Sequence, residues 1–67
     1  MNNYYARYRG TNNVLVFGTS AERDEYVREE KIVHPECEKV SERNVRPLLR
    51  GRKPVFSKSF GCMAVLD

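Results

Sequence analysis

Polar and apolar positions alternate over Tyr4-Tyr5-Ala6-Arg7-Tyr8-Arg9, which puts Tyr4, Ala6 and Tyr8 on one side of an extended chain and Tyr5, Arg7 and Arg9 on the other. Gly10-Thr11-Asn12-Asn13 follows, a cluster of residues that tolerate left-handed backbone or bond their own main chain. The β-branched and aromatic run Val14-Leu15-Val16-Phe17 comes next. Together they predict a β-hairpin, with two or four residues in the turn. Thr19-Ser20-Ala21-Glu22 then fits a capping box and predicts a helix from about residue 20 to Glu30. Glu22, Asp24 and Glu25 fall near its positive end, and Asp24 and Arg28 are spaced to support each other at i,i+4. Only Ala21, Tyr26 and Val27 form its apolar stripe, so most of its surface is expected to be solvated and acidic.

Beyond it the pattern weakens. Lys31-Ile32-Val33 reads as loop or a short edge strand, and Pro35 pushes His34 out of helical backbone. Ser41 could cap a second helix, with Val40 stapled onto Val45, but Pro47 would then lie in the helix interior at a cost of about 3 kcal/mol. A turn over 41–44 and a short helix over 45–50, stopped by Gly51, avoids that cost. Val55 to Phe60 alternates loosely, Gly61 marks a bulge or tight turn, and Cys62 to Leu66 is apolar throughout, as an inner strand would be. The expected architecture is one α+β domain spanning 1–67. The N-terminal hairpin and the C-terminal strand or strands form a mainly antiparallel sheet, and short helices cover one face in two layers.

Size and composition narrow the function. A chain of 67 residues buries only about 60% of its unfolded surface and has no material for a second core. No apolar run approaches the roughly 20 residues of a membrane-spanning helix, and the first residues lack the order of a signal peptide. A cytoplasmic location follows as the expectation, with Cys37 and Cys62 reduced although a bridge between them would close a loop of about 25 residues. Cys62, inside an apolar run, reads as a core residue.

Charge is unevenly spread. Residues 1–19 carry +2, residues 20–38 carry −4 and residues 39–67 carry +5, which together give the formal +3. On a helix spanning 43–50, Val45, Leu48 and Leu49 would face one way and Arg43, Arg46 and Arg50 the other, within about 60° of each other. Arg52 and Lys53 extend that stripe, so Arg43, Arg46, Arg50, Arg52 and Lys53 are the candidate anion- or partner-binding residues. Basic side chains beside exposed hairpin tyrosines could also neutralise phosphates and stack bases.

Chemistry beyond binding has little support. His34 and Cys37, with Glu38 or Cys62, are too few and too widely spaced for a zinc signature, and Gly10, Gly18, Gly51 and Gly61 form no phosphate loop. A Cys37/His34 nucleophile pair would need an oxyanion hole and a pocket that so small a chain can hardly supply. The expectation is a non-enzymatic regulatory protein without a cofactor, monomeric or weakly dimeric, that binds another protein; nucleic-acid binding is the alternative.

The stretch from Val14 to Val27, Val-Leu-Val-Phe-Gly-Thr-Ser-Ala-Glu-Arg-Asp-Glu-Tyr-Val, followed by Val40-Ser41-Glu42, resembles small uncharacterised proteins of bacterial mobile elements and prophages. The shared features are a strand leading into a Ser/Thr-capped A-E-R-D-x-aromatic-V helix; they cover about half the chain and include no catalytic residue. The resemblance implies a phage- or plasmid-borne accessory factor that binds and inhibits a host protein.

Overall fold

A computed structural model describes residues 3–66. Met1, Asn2 and Asp67, and with them the first residues of the segment read for a signal peptide, lie outside the described residues. The chain forms β1 (Tyr4–Tyr8), β2 (Val14–Phe17), α1 (Ser20–Val33), β3 (Cys37–Val40), α2 (Glu42–Leu49), β4 (Val55–Ser57) and β5 (Cys62–Val65). All five strands join one antiparallel sheet in the order β3-β1-β2-β5-β4. The α+β class, the N-terminal hairpin and the C-terminal strands are as the sequence predicts.

The hairpin closes with Arg7 opposite Val14, and Gly10 takes positive φ (85°) in the intervening loop. Thr11 braces that loop, its amide and hydroxyl both donating to the Tyr8 carbonyl at 3.2 and 2.8 Å. At the start of α1 the Thr19 hydroxyl accepts from the Glu22 amide at 3.2 Å, as a capping box requires. The Glu22 carboxylate returns to the Thr19 hydroxyl, at 3.1 Å, instead of to its amide.

Layering departs from the expected two. Ala6, Leu15, Phe17, Cys37 and Ala64 pack under Val27 of α1, whereas Tyr5, Val14, Val16, Val40 and Val65 pack under Val45 of α2. These sets alternate along the strands, so the helices cover opposite faces and the domain has three layers. The reason lies in β2, whose four residues are all buried and therefore need cover on both sides. β3 at the sheet edge lets the chain leave one face and return over the other.

Three local expectations are corrected. Helix α1 continues through Lys31-Ile32-Val33 and stops only where Pro35 restricts His34, whose amide donates to the Glu30 carbonyl at 2.6 Å. The edge strand lies later, at β3, where Glu38-Lys39 breaks the apolar alternation that would have announced it. Helix α2 is capped by Ser41, whose hydroxyl accepts from the Asn44 amide at 3.2 Å, and contains Pro47 as its sixth residue. Pro47 has no N–H for the Arg43 carbonyl. The cap, the Val40–Val45 staple and the burial of Val45 beneath partly buried Leu48 and Leu49 offset that loss.

Candidate functional site

Within α2, Val45 faces the sheet and Arg43 and Arg46 face solvent. Arg50 caps the helix in left-handed backbone (φ 53°), followed by Gly51 at φ 71°. A rise of 1.5 Å per residue spreads Arg43 to Arg50 over about 10 Å. Arg43, Arg46, Arg50 and Lys53 are exposed and make no ion pair among the described residues. Arg52, the fifth candidate, has a different place. Its guanidinium donates to the carbonyls of Leu48 and Leu49 at 3.1 Å each and of Leu66 at 3.0 Å, tying the end of α2 to the residue after β5.

An apolar patch adjoins the basic helix. Phe56 lies opposite Met63 in the β4–β5 ladder and Met63 opposite Val16, which places Phe56 and Met63 on the α2 face. Because α2 has eight residues and packs over β1 and β2, this end of the face is uncovered, and Phe56 and Met63 are 64% and 42% exposed.

The acidic helix lies across the sheet. Asp24 pairs with Arg23 at 3.0 Å and with Lys39 at 3.5 Å, and not with the Arg28 that its spacing suggested. The hydrogen bond from Arg23, aided by the Lys39 charge, holds its carboxyl below the ordinary range. No carboxylate of α1 makes an ion pair with a cation of the α2 face among the described residues. Segregation along the chain thus becomes segregation in space, with α1 at −2 and residues 42–53 at +4 on opposite sides of the sheet.

A cleft of about 450 Å³, not expected from the sequence, opens on the α1 side between the end of the helix, the β1–β2 loop and the β4–β5 turn. Tyr8 is its centre. Its hydroxyl donates to Glu30 Oε1 at 2.6 Å and lies 2.7 Å from the Tyr26 hydroxyl. Having given its only proton to Glu30, Tyr8 accepts from Tyr26. Burial, then the bonds to Glu30 and Tyr26, raise the Tyr8 phenol well above its ordinary range, and burial raises Tyr26 as well. Phe60 and His34 flank the Tyr8 ring at centroid distances of 5.8 and 5.9 Å. The only sequence hint was the alternation that put Tyr8 on the same strand face as Ala6; the partners come from elements 18 to 52 residues away.

Cys37 and Cys62 are free thiols. Three inter-strand steps separate β3 from β5, about 14 Å, beyond the reach of a disulfide. Burial pushes both thiols up, against the thiolate a nucleophile needs. Among the described residues no three His, Cys, Asp or Glu side chains are grouped to hold a metal ion, and no helix is long and apolar enough to cross a membrane. No protein-family model, curated protein or solved structure matches the chain.

Proposed function

We propose that the chain is a non-enzymatic binding module that offers its α2 face to an acidic surface of a partner protein. The observation that carries this reading is the adjacency of four exposed, ion-pair-free cations and the exposed Phe56–Met63 pair, with the acidic helix on the far side of the sheet. Arginine, methionine and aromatic side chains are the types enriched in protein interfaces, and an uneven field speeds encounter with an oppositely charged partner. Lys53 and Pro54 before β4, and Lys58 after it, discourage that edge from pairing with a second copy, which favours a monomer. The cytoplasm, where both thiols stay reduced, suits the module, and the resemblance to mobile-element proteins adds a host protein as the partner.

The arginine stripe also favours nucleic acid, but the tyrosines that would stack bases are elsewhere. Tyr5 is buried, Tyr4 lies on the α1 face with the Arg23 guanidinium 5.4 Å from its ring centre, and Tyr8 belongs to the cleft. Affinity capture from nuclease-treated extract, with Arg43→Glu/Arg46→Glu/Arg50→Glu beside the wild type, tests the proposal. A protein retained by the wild type and reduced at least about tenfold by the variant is expected, as loss of several rim charges would produce. Equal retention by both contradicts the proposal. A mobility shift on DNA or RNA at about 50 mM salt that vanishes near 200 mM and in the variant would favour nucleic acid instead.

A further inference from the structure

We propose that the cleft between α1 and the loop ends of the sheet is a binding site for an organic cation, an alkylammonium or guanidinium group. Three observations lead there. The first is shape: about 450 Å³ lies in the range of small-molecule sites, large enough for such a head group and a short chain.

The second is the walls. Tyr8, Tyr26, Phe60 and His34 line the cleft, with the Tyr8 ring tilted to Phe60 and edge-on to His34. Aromatic faces carry negative potential and attract cations, more so when the cation is partly withdrawn from water.

The third is charge. Glu30 and Glu36 both line the cleft. Glu36 Oε1 accepts no hydrogen bond among the described residues, and His34 Nδ1 stands at 3.8 Å from it. The Glu36 side chain is 42% exposed on the cleft wall, so its carboxylate charge is within reach of an incoming N–H or ammonium group. Arg9, the one permanent cation lining the cleft among the described residues, is already engaged: Nε lies 3.5 Å from Glu38 Oε1 and Nη2 donates to the Pro35 carbonyl at 3.5 Å. Glu38 also pairs with Arg7 at 3.6 Å, so Arg7, Arg9 and Glu38 together carry one positive charge, and the two carboxylates Glu30 and Glu36 outweigh it, leaving a net negative charge that draws a cation against the rings. This site lies across the sheet from the basic α2 face and does not depend on it.

The test is NMR titration of the full chain at constant ionic strength with choline, N-acetylarginine amide and 3,3-dimethylbutan-1-ol, the last a neutral mimic of choline. At least one cation should shift the resonances of Tyr8, Tyr26 and Phe60 saturably in the millimolar range, and choline, if it is the one bound, should bind at least about tenfold tighter than its mimic. Which cation binds separates the methylated ammonium source from the guanidinium one. Glu36→Gln and, with the charge kept, Phe60→Leu should each weaken binding about tenfold while leaving the rest of the spectrum folded. The triple glutamate variant of α2 should bind the cation undiminished, so this site and the protein-binding face succeed or fail separately. No saturable shift with either cation by about 50 mM, equal affinity for choline and its mimic, or unchanged binding in both cleft variants would overturn the proposal.

Discussion

Single side chains in this domain do unlike work despite like charge. Arg52 lies two residues from Arg50, yet its planar guanidinium reaches three backbone carbonyls at once, two at the end of α2 and one at Leu66. Arg52→Ala should therefore cost about 1–3 kcal/mol in urea unfolding, because carbonyls lose a charged donor. Arg52→Lys should recover only part, since a point ammonium cannot span the same fork. Arg50 is the reverse case, an exposed side chain on left-handed backbone (φ 53°) that glycine adopts freely. Arg50→Gly should raise stability by about 1 kcal/mol, read in the same unfolding experiment. Tyr8 gives a pH test. The folded chain holds its phenolic proton above the ordinary range, so the stability it contributes is fully present below about pH 10 and falls as pH rises beyond. Tyr8→Phe should flatten that alkaline decline in thermal melts. The basic neighbours of Arg52 in the sequence place it in the stripe; its carbonyl partner at Leu66, fourteen residues on, is set by the sheet and leaves no local trace.

Among the elements, those specified by local pattern follow the sequence closely. The hairpin rests on period-two alternation and turn residues, and the start of α1 on a Thr19 cap, all contained within a few residues. Elements that depend on distant cover do not. Strand β3 is short and broken by two charged residues, and it exists because β1 offers it an edge. Helix α2 keeps Pro47 because Val45 fills the open face of β1 and β2, a reward invisible to propensity. Two substitutions measure this balance. Ser41→Ala should destabilise by about 1 kcal/mol through loss of the cap. Pro47→Ala should stabilise by about 1–3 kcal/mol by restoring an N–H donor to the Arg43 carbonyl. If Pro47→Ala instead lowered the unfolding midpoint, α2 would be held by the proline's rigidity and not by its packing.

At the scale of the whole molecule, the sheet acts as a partition. A sequence whose middle is acidic and whose end is basic could have folded with those segments side by side, neutralising each other. Two buried faces on β2 require a helix on each side, and the charge carried by each helix is separated with it. The five candidate residues were legible as a stripe, and four of them form an exposed set; the cleft was not legible, because its rings and carboxylates converge from β1, α1, the α1–β3 connection and the β4–β5 turn. Both surfaces follow from the same partition, a basic face on one side and an acidic aromatic cleft on the other.

The partition is measured most directly by solvent paramagnetic relaxation, comparing a cationic with an anionic nitroxide at each assigned proton. Protons of Arg43, Arg46, Arg50 and Phe56 should relax faster with the anionic probe, and those of Glu25, Glu29 and the cleft rings faster with the cationic one. The contrast should shrink as salt shortens the screening length to about 8 Å at 0.15 M. Equal ratios on both helices, or α2 protons that favour the cationic probe, would contradict the account.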